Sequence, residues 1–297
     1  MNCYNGEEYL KEALDSVIDQ TYKNWELIFF DNCSDDNSKE IFFNYNNPKF
    51  KYFTSTSNIK LYDARNKAIK HASGDYFAFL DVDDIWVKDK LELQIQTFSD
   101  KSVGFCCGNF FLLNMRGNKR NISEIWDNLP SGRVIENLLE QNFIHMSSLV
   151  LKKSALSDFK QVFNSNYTIL GDIDLCIRLN LKWNLSSIQK PITYYRYHEN
   201  NTGKTLYHLI VEEYKLMYND IINNYPQIVE NKNFNILKNK IFWTLTIHDL
   251  INNNKINALK KIHNLNFLNK IKLVFACFFP QQFIKKYFNY RFHQIIN

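Results

Sequence analysis

The chain has 297 residues, of which 45% are hydrophobic and 23% charged, with a net charge of +5. That length and balance exclude a disordered chain and fit one large α/β domain with a helical appendage. Eight Gly and five Pro argue against low-complexity linkers, and the modest charge gives no ground for expecting nucleic acid as a partner.

In chain order, helix and strand signals alternate through the first half. Leu10, Ala13, Leu14, Val17 and Ile18 fall at helical spacing within Glu7 to Gln20. Trp25 to Phe30 is a short apolar run that ends in Asp31-Asn32-Cys33-Ser34, a buried strand entering a loop. Phe50 to Phe53 reads as a strand, Leu61 to Ala72 as a helix closed by Ser73-Gly74, Tyr76 to Leu80 as a strand and Lys88 to Phe98 as a helix. This alternation predicts an α/β fold with a doubly wound, mostly parallel sheet. Further on, Val103 to Leu113, Ser147 to Leu151 and Pro191 to Tyr197 read as extended, with helices near Val134 to Gln141 and Asp172 to Lys182. From Leu206 the pattern is helical throughout, so the boundary falls near residue 203, giving domains 1–203 and 204–297.

Six cysteines are scattered without a Cys-x-x-Cys pair, which speaks against a zinc site or a disulfide framework and fits a reducing cytoplasm. No signal peptide is evident, and the longest apolar run, Leu273 to Pro280, is too short to span a bilayer. Lys is dense in the last third. From Phe267 to Tyr290, bulky residues including Phe275, Phe278, Phe283, Tyr287 and Phe288 lie among Lys270, Lys272, Lys285, Lys286 and, just beyond, Arg291. Two readings fit: an interfacial helix on an anionic membrane leaflet, or a helix packed on the rest of the protein.

The strongest local motif is Phe79-Leu80-Asp81-Val82-Asp83-Asp84. On an extended strand Asp81 and Asp83 would point to one face, just past a buried strand, where α/β sheets bind ligands. Such a pair suits Mg²⁺ or Mn²⁺ together with phosphate oxygens. An acidic turn capping the helix that starts near Val87 fits equally well, and a haloacid-dehalogenase-type phosphatase is a rival. Taken alone, Asp172 reads as an N-cap, Arg65 as a surface charge, Tyr4 as packing, Asp31-Asn32 as an Asx-turn and His198 as structural.

The ordered series Tyr4-Asn5-Gly6-Glu7-Glu8-Tyr9-Leu10, Gln20-Thr21-Tyr22, Asp31-Asn32, Ala64-Arg65-Asn66, Ser73-Gly74-Asp75-Tyr76 and the Asp81 motif closely resembles the nucleotide-binding half of family 2 inverting glycosyltransferases, which have the GT-A fold. The match covers roughly residues 2 to 98 and continues more weakly to about 200. The resemblance implies that Tyr4 stacks on a pyrimidine base and that Asp31 and Asn32 accept from it, the family's second Asp being Asn32 here. It puts Arg65 near the diphosphate and has Asp83, helped by Asp81, hold the metal, with Asp81 also toward the ribose. Gly171-Asp172-Ile173-Asp174-Leu175 and Arg178 resemble the segment whose second residue, here Asp172, is the catalytic base; Gly171 stands where the family has Glu. Tyr195-Arg196-Tyr197-His198, with Asn201-Thr202, resembles a segment that puts Arg196 and His198 at the diphosphate.

The resemblance therefore implies a GT-A-like domain followed by a helical, basic C-terminal region. It implies transfer from a nucleoside diphosphate sugar, UDP-linked by preference, to a glycan or lipid-linked acceptor in bacterial surface polysaccharide or lipid-linked glycan synthesis. The implied cation is Mn²⁺ or Mg²⁺ and the implied place is the cytoplasm or the inner face of the cell membrane. The alternative is a nucleotide-sugar-binding protein without catalysis. One departure favours the alternative: Met1-Asn2-Cys3 leaves no room for the hydrophobic strand that opens the family pattern. The expectation is a poorly stable chain to which an upstream extension would add an apolar strand.

Overall fold

The structure, a computed structural model, describes residues 1–116, 119–124, 126–198, 201, 206, 209–284 and 286. Its internal contacts divide the chain into Met1–Asn201 and Thr202–Asn297. Thr202, Lys285, Tyr287, Phe288, Tyr290 and Arg291 from the motifs above lie outside the described residues.

In the first unit β1 (Asn2–Cys3), β2 (Leu27–Asp31) and β3 (Phe50–Thr54) form a parallel sheet. Every residue of β2 is buried, because both faces are covered. Leu27 and Phe29 pack with Leu10 and Leu14 of α1 (Leu10–Ile18) and Phe42 of α2 (Ser38–Phe43). Ile28 and Phe30 pack with Ala64 and Ala68 of α3 (Leu61–His71). The alternation of side chains along one strand thus joins helices on opposite sides of the sheet.

The second sheet has the order β4 (Tyr76–Ala78), β8 (Val150–Lys152), β6 (Val103–Arg116), β9 (Asn184–Tyr197), β5 (Ile85–Trp86), with β7 (Lys119–Glu124) on β6. It is mixed: β6 and β9 run parallel, while β4/β8, β6/β8, β6/β7 and β5/β9 are antiparallel. α4 (Lys90–Thr97), α5 (Ile135–Glu140) and α6 (Gly171–Asn180) complete the unit. β5 and β7 escape sequence reading, being a two-residue strand and a polar hairpin arm.

The opening strand is present but short, which corrects the expectation that Met1-Asn2-Cys3 leaves no room for it. Asn2 and Cys3 pair with Phe30 and Asp31, and Asn2 also bridges to Asp81, so this stub ties the first sheet to the segment that follows β4. Beside it lies a cavity of about 380 Å³ lined by Met1, Val17, Trp25, Ile28, Phe77 and Trp86.

The second unit is helical: α7 (Ile210–Asn224), α8 (Pro226–Val229), α9 (Phe234–Ile251), α10 (Lys255–Lys260) and α11 (Phe267–Phe278). Ile247, Leu250, Ala258, Leu265, Leu273 and Ile284 form one of its cores. Among the described residues no helix is long and apolar enough to cross a membrane.

At the start of α4, Lys90 is fully buried, donates to Gln94 Oε1 at 2.6 Å and sits 4.2 Å from the Trp86 ring. Burial pushes its ammonium down to about 7. The folded pKa is depressed, so between about 7 and the ordinary lysine value the unfolded chain holds more protons and stability rises with pH. Urea unfolding of wild type and Lys90→Met should show a wild-type minus variant free-energy difference that becomes more favourable to wild type as pH rises through this window. A pH-independent difference would show that the ammonium is not desolvated.

Candidate active site

The Asp81 motif is not an extended strand. β4 ends at Ala78, and Asp81 to Asp84 form a turn closed by the Asp84 N–H donating to the Asp81 carbonyl at 3.1 Å. The alternation expected to aim Asp81 and Asp83 at one face is therefore absent, and the two carboxylates take different partners. Arg65 Nη2 donates to Asp81 Oδ1 at 2.6 Å. Far from being a surface charge, Arg65 is 5% exposed and lies against the rings of Tyr62 and Phe163. Burial pushes the Asp81 carboxyl up, but the Arg65 guanidinium, with His145 and the N-terminal ammonium adding to it, holds it below the usual range.

Asp83 instead meets His198, whose Nε2 lies 3.0 Å from Asp83 Oδ2. Asn201 fixes this pair: its Oδ1 accepts from the His198 N–H at 2.6 Å and its Nδ2 donates to the Arg196 carbonyl at 3.1 Å. A carboxylate beside an imidazole nitrogen is a donor set that Mn²⁺ accepts, and the remaining positions would fall to water and phosphate oxygens. Among the described residues no three His, Cys, Asp or Glu side chains gather around one point, so Asp81 does not join Asp83 in a closed protein cage.

Asp84 is 1% exposed and holds the turn from within. Its Oδ2 accepts from His145 Nε2 at 2.8 Å and from the Ser147 hydroxyl, and its Oδ1 accepts from the Arg196 N–H at 3.0 Å. Ser147 Oγ in turn accepts from the Asp81 N–H at 3.1 Å. Asp84, together with Asp81 and Asp83, raises the His145 pKa against its burial. Arg196, expected at the diphosphate, is 1% exposed. Its guanidinium donates to the Asp83 carbonyl at 2.8 Å, pairs with Glu12 at 3.2 Å and lies 4.4 Å from the Tyr9 ring, so it braces the turn. His145, Ser147 and Glu12 carry no motif in the sequence that would mark them, and Tyr9 lies in the first motif without a role assigned to it there.

Asp172 occupies the second position of α6, so it is not the N-cap, which is Leu170. Its backbone N–H donates to the Tyr62 hydroxyl at 3.2 Å, and the same Tyr62 ring lies under Arg65. Burial pushes the Asp172 carboxyl up, opposed in part by Arg65 and His145. Gly171 has a packing reason: a Cβ there would lie 2.5 Å from the Tyr62 ring. Asp174 is turned away from this group and pairs with Arg178 at 2.8 Å.

At the nucleotide end Tyr4 is 52% exposed, its ring open to a stacking partner. Asp31 is buried, accepting from the Tyr52 hydroxyl at 2.6 Å and the Ser34 N–H at 2.9 Å. Asn32 is committed within the chain: its Oδ1 accepts from Ser55 Oγ and the Ile59 N–H, and its Nδ2 donates to Asn58 Oδ1 and the Ile59 carbonyl. It therefore holds the 55–59 loop, and a base contact through its amide oxygen would displace one of these bonds.

The family model described as glycosyl transferase family 2 matches residues 1–159. The chain is 34% identical over 164 residues to the UDP-Glc:alpha-D-GlcNAc-diphosphoundecaprenol beta-1,3-glucosyltransferase WfgD of Escherichia coli, covering 55% of this chain and 62% of that protein. It is 36% identical over 118 residues to the putative teichuronic acid biosynthesis glycosyltransferase TuaG of Bacillus subtilis, covering 38% and 46%. The matched stretch thus spans between about half and three fifths of the length of these two curated relatives. Among solved structures, S. aureus TarS 1–349 in complex with UDP superposes with a TM-score of 0.67 at 18% identity, covering 93% of this chain and 85% of that one. The mannosyltransferase PcManGT of Pyrobaculum calidifontis, in complex with GDP-Man and Mn2+, gives a TM-score of 0.56 at 16% identity, covering 93% and 77%. At these identities the likeness establishes the fold.

The Arg65–Asp81 pair can be measured directly. Arg65→Met leaves a partly buried carboxylate unpaired and should lower unfolding free energy by about 1–3 kcal/mol. Adding Asp81→Asn should recover part of the loss, giving a coupling energy above about 0.5 kcal/mol in a double-mutant cycle. Strict additivity of the two changes would mean the pair contributes nothing to the fold.

Proposed function

Since the chain belongs to glycosyltransferase family 2, we propose that it moves a sugar from a nucleoside diphosphate sugar, UDP-linked in the first instance, to the hydroxyl of a glycan or lipid-linked acceptor with inversion. The observation that carries this reading is the Tyr62 bridge. One side chain contacts both the start of α6, where Asp172 sits, and Arg65, the partner of Asp81. This contact supports reading the proton-accepting group and the donor-facing group as parts of one site.

In the proposed reaction the acceptor oxygen attacks the anomeric carbon from the face opposite the diphosphate. The new carbon–oxygen bond forms as the bond to the phosphate oxygen breaks, and the electron pair leaves with the nucleoside diphosphate. Asp172 takes the hydroxyl proton; its raised pKa makes it a stronger base than an exposed carboxylate. Asp83 and His198 are the residues that would hold a divalent cation, Mn²⁺ or Mg²⁺, whose chemistry when bound is to neutralise charge on the diphosphate. Arg65 orients Asp81, which lies on the ribose side of the turn in this reading. Tyr4 offers its exposed ring to the base, with Asp31 behind it. The 1–203 segment carries the catalysis and 204–297 a basic accessory region.

A lipid-linked acceptor is favoured by the diphosphoundecaprenol compound in the name of the E. coli relative. Work in the cytoplasm, peripheral to the inner face of the membrane, is supported by six free cysteines and by the basic second unit.

Asp172→Asn should leave UDP-sugar binding within about twofold of wild type while lowering turnover by roughly 10²-fold or more, the scale of general base catalysis. Asp174→Asn should lower the melting temperature instead, through the lost Arg178 pair. Calorimetric donor binding, steady-state transfer and thermal unfolding check these together. Near-full turnover in Asp172→Asn would move the base elsewhere.

A further inference from the structure

We infer that α11 is a membrane-contact helix, which lays a bulky apolar face onto an anionic lipid leaflet and brackets it with lysines. This deepens the peripheral localisation proposed above and rests on it, but it does not depend on the chemistry assigned to Asp172 or Asp83.

α11 packs on its own unit by a narrow stripe. Leu273 is fully buried, Asn269 nearly so, and Ala276 and Cys277 are partly buried against Ile247, Leu250 and Leu265. The rest of its apolar bulk faces outward: Phe267, Leu268, Ile271, Val274, Phe275 and Phe278 are all exposed, Phe267 at 75% and Phe278 at 82%. At about 100° per residue these six fall on one arc roughly 120° wide. Lys270 and Lys272 fall on its two edges, where long stems let ammonium groups reach the headgroups while the rings sink. A helix that only covered a core would bury this face and present polar residues to water. An exposed apolar face of this size marks an interaction surface.

Charge identifies the partner. From Ile251 to Asn297 the sequence has seven Lys and one Arg and no Asp or Glu. Residues 202–297 carry thirteen basic and five acidic side chains, net +8, while residues 1–201 are net −3. The positive charge is thus concentrated in the unit that carries the apolar face. Phe-rich bulk edged by lysines, with no acidic residue nearby in the sequence, matches a leaflet of negatively charged phospholipid better than a protein surface, which would call for charges of both signs and polar groups to pair.

Co-sedimentation of the full chain with phosphatidylcholine vesicles, with and without phosphatidylglycerol, tests this. Wild type should bind the phosphatidylglycerol vesicles and release them as salt rises. Phe275→Ser/Phe278→Ser, whose rings are exposed and so dispensable for folding, should weaken binding by at least about tenfold. Lys270→Gln/Lys272→Gln should weaken it by about fivefold per lysine on anionic vesicles only. Melting temperature and calorimetric binding of UDP should stay at wild-type values in both variants, which separates this question from the catalytic one. Absence of wild-type binding to anionic vesicles would overturn the proposal. So would equal binding by wild type and the Phe variant. A third overturning result is wild-type self-association that the Phe variant abolishes without any vesicle binding, which would make this face an interface between copies.

Discussion

The constraint on which the site depends is the crowding of three carboxylates into the four residues Asp81 to Asp84. Like charges this close repel, and burial makes the repulsion costlier. The fold answers with dedicated partners for each: Arg65 for Asp81, His198 for Asp83, and both His145 and Ser147 for Asp84. These partners come from α3, from the end of β9 and from the segment before β8, so the turn keeps its shape only when both sheets are assembled. Arg196 closes the arrangement: its guanidinium donates to the Asp83 carbonyl and its backbone N–H to the Asp84 carboxylate, while its charge rests on Glu12.

This bracing explains a division of labour among residues that the motifs alone make look alike. Arg196 and Asn32 are both committed to intramolecular bonds and act by holding loops. Tyr4 is exposed, Asp83 and Asp172 are only partly buried, and burial holds the Asp172 carboxyl at raised basicity, which suits the roles proposed for them. Tyr62 connects the two halves of the site, and its ring is also why position 171 is Gly: the space that a larger side chain would take belongs to the ring that supports Arg65.

Much of the fold was legible because strong periodicity has a direct physical meaning. β2 reads as an apolar run since it is covered on both faces, and α1 and α3 show one apolar stripe each because only one side meets the sheet. β7 has no such signature, and β5 is too short to carry a pattern. At the site, Asp81 and Asp83 stand out because paired acidic residues directly after an apolar run are unusual, whereas Asp172 reads on its own as an N-cap and stands out only through the family resemblance. His145 and Ser147 do not, because their role is set by a contact more than sixty residues away in sequence. The turn itself reads as a strand from the sequence and is not one: alternation rules hold only while the backbone stays extended, and the Asp84 N–H to Asp81 carbonyl bond ends that extension.

In the proposed reaction the Asp83–His198 pair would hold a divalent cation at the diphosphate end of a sugar-nucleotide site. Calorimetric titration of UDP into wild type and Asp83→Ala, each with Mn²⁺ and again with chelator, tests it most directly. Wild type should bind UDP in a cation-dependent way and Asp83→Ala should lose that dependence, with the fold intact by circular dichroism. Equal UDP affinity in all four titrations would contradict it.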